Sequence, residues 1–320
     1  MQVVVGDGPL LEQVFDHTFP IWNEGLSREA YSKWNRAQVR TPWGRDRLHR
    51  FVLLDDDGSY RASLKRYRYD VRVNGRDGWM CGIGAVFTAT EHRGRGYAAR
   101  LIEHVVAASR AEGALLAGLF SEIGAPYYER LGFVHVPFDE VSVRVTRRDG
   151  TPAMLVRAGD ERDLPLIAAM HEVRAAGAAF TLRRDASHIH YAIAKKRLFA
   201  GLSPLGTRQL EFFVAEEGVV PVAYAVISQN QYGWTLEEAG DRDPVGARLG
   251  AMLETLVARE PSQERPIIRA WWPRAFPVPP QLTLANRTEP KDLFMVRPLA
   301  DGVVMPAGPD DVFYWRSDYF

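Results

Sequence analysis

The sequence predicts an α/β protein with two domains. Its length of 320 residues corresponds to two domains at about 100–200 residues per domain. Helix-like and strand-like segments alternate through the first half of the chain, which is typical of an α/β fold. The second half repeats the same order of segments loosely, and we infer a diverged internal duplication.

The composition excludes several classes of function. The 40 lysines and arginines balance the 40 aspartates and glutamates, so bulk charge does not favour nucleic acid as a partner. The single cysteine, Cys81, excludes an internal disulfide and every multi-cysteine metal site. The N-terminus lacks the features of a signal peptide, and the longest apolar stretch, near 218–228, is too short to span a membrane. We therefore expect a soluble cytoplasmic protein that binds neither nucleic acid nor a membrane.

Turn and cap residues divide the first half into its elements. Ser27 is a typical helix N-cap, Asn74-Gly75 is a hairpin dipeptide, and Gly113 can terminate a helix. Polar and apolar residues alternate over 60–73, as in a half-buried strand. The predicted elements are helices over 9–17 and 27–37, strands over 51–54, 60–73 and 79–88, a helix that begins at Tyr97, a strand over 114–120, a short helix over 124–130 and a strand over 132–145.

The second half is divided in the same way. Pro244 stands at a permitted first-turn position of a helix. The predicted elements are helices over 163–178 and 188–199, strands over 210–216 and 220–229, a helix over 244–259, and strands over 266–272 and 294–298. The polar turn cluster at 147–152 marks the domain boundary. This gives domains over 1–147 and 153–298 and a tail over 299–320.

A strand, a glycine-containing turn and a helix follow one another at 86–98, and this segment carries the strongest functional signal. Backbone N–H groups at a helix N-terminus are unpaired and partially positive, and they disfavour the nearby cations of Arg93 and Arg95. A bound pyrophosphate would suit both the amides and the guanidinium groups. The small residues Gly94 and Gly96 would let it approach the backbone. The alternative is a solvated helix start, which a lone Gly-x-Gly would favour.

Two fingerprints fit this turn. Gly94-x-Gly96-x-x-Ala99 matches the weak dinucleotide pattern. That pattern also has an acidic residue ~20 residues further along the chain, and the candidate here, Glu122, lies beyond that distance. Arg93-x-x-Gly96-x-Ala98 matches a coenzyme A loop, and the segment Tyr128-x-x-x-Gly132-Phe133 downstream favours this second interpretation. With these two segments, the first 145 or so residues resemble the GNAT superfamily of acyl-CoA-dependent N-acyltransferases. Thr90 stands where that family often has proline.

The duplication and the aromatic chain end resemble a narrower group, the Eis-like acetyltransferases, and Ser121-Glu122 fits that group. Eis-like proteins carry a third, sterol-carrier-like domain. Only about 20 residues follow Pro298 here, so we expect that domain to be missing. The resemblance implies an α/β (α+β) fold of two tandem GNAT-like domains, each a mixed, mostly antiparallel sheet flanked by helices.

The resemblance also implies an acetyl-CoA-dependent N-acetyltransferase, in which the primary amine of a small molecule attacks the thioester directly. We also consider assembly of the chain into a homo-oligomer. The implied cofactor contacts are Val86, Phe87, Thr88, Arg93, Gly94, Arg95, Gly96, Tyr97, Ala98 and Ser121. A catalytically silent acyl-CoA-binding or sensing protein and a nicotinamide-dependent oxidoreductase remain as alternatives.

Tyr128 aligns with the general acid of the family. A phenol with an ordinary pKa near ~10 can protonate a departing thiolate and stay neutral beforehand. Packing is the alternative role, which we favour for Tyr127, whereas the spacing to Gly132-Phe133 favours the acid role for Tyr128.

Five of the last eight residues are aromatic, and burial of these rings predicts that the tail docks on the protein. In the Eis-like proteins that the chain resembles, a terminal phenylalanine carboxylate lies in the active site. We therefore expect the Phe320 carboxylate to accept the ammonium proton there. The alternative is a tail that only seals a groove or packs against a neighbouring subunit.

Aromatic residues of the first two helices, including Trp22 and Trp34, are candidates for an acceptor-pocket wall, with core packing as the alternative. Glu24 would attract a cationic amine. In the second half, Asp243 and Pro244 stand where a phosphate loop needs amides and cations. We expect this half to bind no coenzyme A. His188 and His190 have no further ligands at suitable spacing, and we expect surface or capping histidines rather than a metal site.

Overall fold

A computed structural model describes residues 1–147, 149–150, 154–260, 266–306 and 308–320. The chain forms two compact units. The first unit contains Met1–Pro137, Lys291–Ala307 and Phe320, and the second contains Phe138–Pro290 and Gly308–Tyr319. Half of the turn cluster at 147–152, where we predicted the boundary, lies outside the described residues.

The α-helices of the described chain follow the predicted pattern, with one helix, at Pro42–Arg47, that was not predicted. They are α1 (Gly8–Trp22), α2 (Arg28–Gln38), α3 (Pro42–Arg47), α4 (Tyr97–Ala111), α5 (Pro126–Glu129), α6 (Leu164–Ala175), α7 (Ala186–Leu202) and α8 (Ala247–Ala258). None of the helices in this part of the chain has both the length and the apolar composition needed to cross a membrane.

The strands are more numerous than predicted. They are β1 (Gln2–Val5), β2 (Leu48–Leu54), β3 (Tyr60–Val73), β4 (Arg76–Thr88), β5 (Leu116–Ser121), β6 (Val134–His135), β7 (Glu140–Val145), β8 (Leu155–Ala158), β9 (Phe180–Leu182), β10 (Arg208–Glu217), β11 (Val220–Asn230), β12 (Gly233–Asp241), β13 (Ile268–Trp271), β14 (Leu282–Thr288), β15 (Leu293–Pro298) and β16 (Val312–Phe313).

The sheet of the first unit has the strand order β1-β2-β3-β4-β5-β15-β6. Strands β4 and β5 are parallel, and the other neighbours are antiparallel. Both faces of this sheet are covered. Leu53 packs in the apolar cluster that includes Leu101 and Val105 of α4, whereas the adjacent Val52 packs with Val14 of α1. Successive side chains of a strand point to opposite faces, so α1 and α4 lie on opposite sides of the sheet.

The sheet of the second unit has the order β14-β7-β13-β12-β11-β10-β8. Its only parallel pair among the described strands is β12 with β13, and α8 connects these two strands as α4 connects β4 and β5. Each unit therefore combines a mixed, mostly antiparallel sheet with flanking helices, as predicted. Helix α8 begins after Gly246, its N-cap with φ of +75°, so Pro244 precedes the helix and does not stand in its first turn.

Each sheet includes one strand from the other half of the sequence. The single strand predicted over 132–145 is two strands, because β6 ends before Pro137, which cannot donate to a ladder, and β7 lies in the second sheet between β14 and β13. Conversely, β15 belongs to the second half of the sequence but pairs with β5 in the first sheet. The assignment of 294–298 to the second half was therefore wrong, and the units do not coincide with the predicted ranges 1–147 and 153–298.

The part of the tail from Gly308 to Tyr319 groups with the second unit, whereas the part before it and Phe320 group with the first. This differs from the expected docking of the whole tail over 299–320 on the first domain. Trp315 is fully buried, with its ring centroid 5.8 Å from that of Trp272 and 5.2 Å from that of Phe276. Strand β16 also pairs with β9. Phe313 and Trp315 therefore belong to the apolar core of the second unit.

Acidification should destabilise the second unit through His171 on α6. Its Nε2 lies 3.0 Å from the Leu182 carbonyl oxygen, and burial lowers its pKa from 6.5 to about 4. The neutral ring therefore stabilises the fold fully above about pH 6.5, and this contribution is lost as the pH falls through about 4. The difference between the two pKa values corresponds to about 3 kcal/mol. Denaturant unfolding at neutral and acidic pH should show a smaller acid loss for His171→Gln than for the wild type. An equal loss in both would contradict this.

Candidate active site

The parallel strands β4 and β5 separate near the middle of the first sheet. Their pairing runs from Met80 opposite Leu116 to Ile83 opposite Leu119, whereas β4 continues to Thr88 alongside β3. A register shift interrupts the β3–β4 ladder here, and Ala85 has φ of +48°, as expected for a β-bulge. The edge of β4 that faces away from β3 is therefore free, among the described strands, over the predicted cofactor residues Val86, Phe87 and Thr88.

Strand β4 leads through a short 3₁₀ turn (Thr90–His92) into the N-terminus of α4. Gly96 is the N-cap with φ of +78°, and no side chain of the described residues caps it. A Cβ atom on Gly94 or Gly96 would meet nothing in the described chain within 4 Å. Arg93 and Arg95 are exposed, and the Arg93 Nε donates to the Thr88 carbonyl at 3.4 Å. The loop thus offers unpaired amides, two guanidinium groups and open space, which fit a pyrophosphate.

The first turn of α4 continues this loop. Tyr97 is half-buried and packs against the apolar cluster under α4, and its ring lies edge-on to His92 with centroids 6.1 Å apart. Ala98 is half-buried as well. Neither residue has a charged side chain, so each could contact a cofactor phosphate only through its backbone amide.

Tyr128 lies on the short helix α5, close to the end of β5. Its carbonyl accepts the N–H groups of Leu131 (2.9 Å) and Phe133 (3.1 Å), and this turn requires Gly132 with φ of +76°. The side chain is 7% exposed and packs in the apolar cluster that contains Ile83. Burial, with smaller contributions from Tyr127 and Glu122, raises the pKa of Tyr128 to about 12. The phenol therefore carries its proton at neutral pH.

Ser121 ends β5 and is buried. Its hydroxyl donates to the Gly124 carbonyl at 2.6 Å, so it closes the turn that leads to α5. This hydrogen bond uses the hydroxyl proton, and only the oxygen lone pairs are left for the predicted cofactor contact.

Trp22, the last residue of α1, connects the ends of β4 and β5. Its ring centroid lies 6.2 Å from that of Phe87, and its indole N–H donates to the carboxylate of Glu122. Burial raises the pKa of Glu122, and the neighbouring charges of Asp292 and Glu24 raise it further. Glu24 is exposed, with φ of +46°. Sequence reasoning did not place Glu122 beside Trp22, although an acidic residue directly after a buried strand was the available signal.

Trp34 lies on α2, and the ammonium nitrogen of Lys65 is 5.4 Å from its ring centroid. Lys65 stands opposite Gly84 in the β3–β4 ladder. Trp22 is therefore hydrogen-bonded to Glu122, whose carboxylate interacts electrostatically with Glu24, whereas the charged neighbour of Trp34 is the cation of Lys65.

Phe320 lies against β4, at the point where β4 begins to separate from β5. Its ring centroid is 5.3 Å from that of Tyr67, 5.0 Å from that of Tyr69 and 5.4 Å from that of Phe120. A Cβ atom on Gly82 would meet the Phe320 ring at 3.1 Å, and one on Gly84 would meet the carboxyl carbon at 3.2 Å. The two glycines thus form a cradle for the chain end, and Gly82-x-Gly84 was the signal that sequence reasoning missed.

The corresponding loop of the second unit is filled by its own carboxylates. Gly246 repeats the left-handed N-cap of α4, but the Asp241 carboxylate accepts the N–H groups of Leu249 and Asp243, both at 2.7 Å. Asp243 in turn accepts the Val245 N–H at 2.9 Å. Because carboxylates occupy the amides that would face a phosphate, this loop does not fit a pyrophosphate.

We expected both histidines of α7 to be surface or capping residues, and His188 differs because its side chain is buried. His188 is buried, and its Nε2 lies 3.6 Å from the Asp318 carboxylate, whereas its backbone N–H is capped by Asp185 at 2.7 Å. His190 is half-buried, 3.5 Å from Glu161. Across the described ranges, no cluster of three or more His, Cys, Asp or Glu side chains could hold a metal ion.

Several solved structures share the fold over nearly the whole chain. A GCN5-related N-acetyltransferase from Anabaena variabilis superimposes with a TM-score of 0.68 at 13% identity, covering 93% of this chain and 73% of that one. A probable N-acyltransferase from Enterococcus faecalis gives 0.67 at 13% identity, with 93% and 72% covered. Eis1 from Mycobacterium abscessus gives 0.59 at 12% identity, with 93% and 74% covered. At these identities the likeness establishes the fold.

The sequence itself matches a family model in the first unit. Residues 10–136 match the model of an acetyltransferase (GNAT) domain, and no curated protein sequence matches the chain. The matched segment contains the separation of β4 from β5, the open N-terminus of α4 and Tyr128. The first unit therefore contains a segment, residues 10–136, that matches the GNAT acetyltransferase family.

Proposed function

We propose that the protein is an acetyl-CoA-dependent N-acetyltransferase that acetylates the primary amine of a small molecule. One observation carries this proposal: β4 separates from β5 after Ile83 and then leads, through the turn at Thr90–His92, to the open N-terminus of α4. An extended thioester cofactor needs both features, a strand edge with free N–H groups and an anion-binding loop for its phosphates. The family match of residues 10–136 supports the same class of reaction.

Acetyl-CoA would supply the acetyl group as an activated thioester. The amides and guanidinium groups of Arg93–Ala98 would bind its pyrophosphate. Backbone N–H groups along Val86–Thr88 would pair with its amide portion and polarise the thioester carbonyl. Asp241 and Asp243 would repel the phosphates of the cofactor. This supports the proposal that the second unit does not bind acetyl-CoA.

Two groups of the first unit can manage the protons of the reaction. Tyr128 holds a proton on its phenol oxygen at neutral pH and can release it to a thiolate. The carboxylate of Phe320, against Gly84, can accept a proton from an ammonium group. Glu24 and Glu122 add negative charge beside Trp22, which favours a cationic acceptor over a neutral one.

A screen of primary amines tests this function. Wild-type protein is mixed with acetyl-CoA and each amine, and free thiol is measured over time. We expect thiol release that depends on at least one amine. Binding of acetyl-CoA without amine-dependent release would indicate a sensing protein instead, and protection from thermal unfolding by NAD but not by acetyl-CoA would indicate an oxidoreductase.

Adding one glycine after Phe320 should lower kcat by about 10²-fold, because it displaces the carboxylate while keeping every ring of the tail. This loss of kcat is at the low end of the range for acid–base groups, because water and Glu122 can partly replace the lost base. Steady-state kinetics and the melting temperature are measured together. Deletion of Tyr319-Phe320 is the comparison, because it removes both the carboxylate and the rings. If the extended chain keeps full kcat, the carboxylate is not catalytic.

A further inference from the structure

The face of the first sheet that packs against α1 and α2 carries two buried cations directly opposite each other. Val52 on this face packs with Val14 of α1, and Arg50, two residues earlier on the same strand, points to the same side. Arg50 pairs with Lys65 in the β2–β3 ladder, so the two side chains are neighbours on that face. Arg50 is 7% exposed and Lys65 is 8% exposed. Like charges in this arrangement destabilise a sheet, which calls for a compensating function.

Neutral groups of the two helices surround these cations. The Arg50 Nη2 donates to the Asn35 Oδ1 at 3.2 Å, and the Lys65 ammonium donates to the Gln38 Oε1 at 3.3 Å. The guanidinium carbon of Arg50 also lies 5.5 Å from the ring centroid of Phe15. Amide oxygens and rings of this kind orient a cation but do not neutralise it.

The guanidinium group of Arg50 is left incomplete by the fold. Its Nη1 is buried and has no hydrogen-bond partner among the described residues. Burial lowers the pKa of Arg50, and the groups that raise it are tyrosine phenols, not carboxylates. A buried charge without a counter-ion is costly, and buried polar atoms without a partner are rare in native proteins. An anionic ligand would supply both the missing acceptor and the missing charge.

The two cations lie next to the strand that we assign to the thioester. Lys65 stands opposite Gly84 in the β3–β4 ladder, directly before the bulge at Ala85. Neighbouring strands are ~4.8 Å apart, so the backbone of Arg50 lies about 10 Å from that of β4. The carboxyl group of Phe320 lies beside Gly84, and one carboxylate balances at most one of the two cations. A small molecule whose amine is at β4 can therefore reach this pair with a second, anionic group.

We propose that Arg50 and Lys65 bind a carboxylate of the acceptor, so that the substrate is a small amino acid whose amine is acetylated. This rests on the proposed function. The Arg50 Nη1 and the Lys65 ammonium donate charge-assisted hydrogen bonds to the carboxylate, which takes no part in the reaction. The amine nitrogen forms the bond to the acetyl carbon and loses a proton, while the carbon–sulfur bond breaks and the thiolate gains one. The negative charges of Glu24 and Glu122 in the same unit suit the ammonium group of such a substrate.

Pairs of acceptors that differ only in the carboxylate test the site. Glycine, β-alanine, γ-aminobutyrate and L-lysine are each compared with the corresponding carboxamide by acetyl-CoA-dependent thiol release. We expect kcat/KM of the wild type to favour at least one acid over its amide by about tenfold or more. Arg50→Met removes the charge with little change in length and should abolish this preference, whereas Arg50→Lys keeps the charge and should retain part of it.

Arg68→Met is the matched control. Arg68 is also on β3, three residues after Lys65 and therefore on the opposite face, where its guanidinium lies 4.1 Å from the ring centroid of Trp79. The same substitution there should leave the preference for the acid at the wild-type value.

Binding is also measured without catalysis. The same acids and amides are added in the absence of acetyl-CoA, and the melting temperature is followed. At least one acid should raise the melting temperature of the wild type and of Arg68→Met, but not that of Arg50→Met. If Arg50→Met does not fold, Lys65→Met is judged by the same criteria.

No preference for any acid in either measurement, or a preference that Arg50→Met keeps, would overturn the proposal and leave Arg50 as a residue of the core. Protection by an acid that depends on Arg50, without thiol release from any amine, would support the carboxylate site and count against the proposed function. The two failures are therefore distinguishable.

Discussion

Tyr128→Phe should lower kcat by roughly 10²–10⁴-fold, the usual contribution of a general acid, with little change in the KM for acetyl-CoA. The substitution removes one oxygen from a side chain that is 7% exposed and leaves its ring in the apolar cluster. The lost group is a proton donor whose pKa is raised to about 12, so it is fully protonated before the thiolate departs. Steady-state kinetics at saturating amine measure the loss.

The neighbouring Tyr127→Phe is the matched control. It removes the same atom from the same short helix, and its ring centroid lies 5.0 Å from that of Tyr128. We expect less than a threefold change in kcat for Tyr127→Phe. A loss below about threefold for Tyr128→Phe, with an unchanged melting temperature, would make Tyr128 a packing residue.

Gly96→Asp should abolish the binding of acetyl-CoA or raise its KM by about 10²-fold or more. The new carboxylate would stand at the N-cap of α4, where free amides face open space. In the second unit, Asp241 and Asp243 already accept hydrogen bonds from the corresponding backbone N–H groups. Like charge would then repel the phosphates as well. Titration calorimetry with acetyl-CoA measures the loss directly.

Gly113→Asp provides a control at the other end of the same helix. Gly113 has φ of +86°, and a Cβ there would also meet nothing in the described chain within 4 Å. The two variants therefore share the substitution and the backbone strain, and they differ in whether the carboxylate faces the cofactor loop. Equal binding losses in both, or unchanged binding in Gly96→Asp, would remove the basis for placing the pyrophosphate at Arg93–Ala98.

The local elements were predictable because their signals are local. The alternation over 60–73 gave the bounds of β3, Tyr60–Val73, and the Ser27 hydroxyl does accept the Ala30 N–H as an N-cap. The loop at Arg93–Gly96 and the helix that carries Tyr128 were also found from short sequence patterns. Their roles in binding and catalysis stay predictions until the variants are measured.

Features that depend on distant parts of the chain were not predictable from one sequence. Strand β7 pairs with β13, and β15 pairs with β5, although apolar runs of this kind do not specify their partners. The tail was expected on the first domain, but Trp315 finds its apolar partners in the second core. The buried ion pairs of Arg184 with Glu238 and Asp318 join three separate parts of the chain, and no spacing in the sequence predicts them.

The most direct test of this account follows an isotope-labelled acetyl group from acetyl-CoA in the presence of an amine that promotes thiol release. We predict that mass spectrometry finds the label on the amine nitrogen with the wild type, in equal amount to the thiol released. We also predict that transfer is at least about 10²-fold slower with Tyr128→Phe. Label recovered only as free acetate, or label that stays in acetyl-CoA while the protein binds it, would contradict the assignment of the first unit as a working N-acetyltransferase.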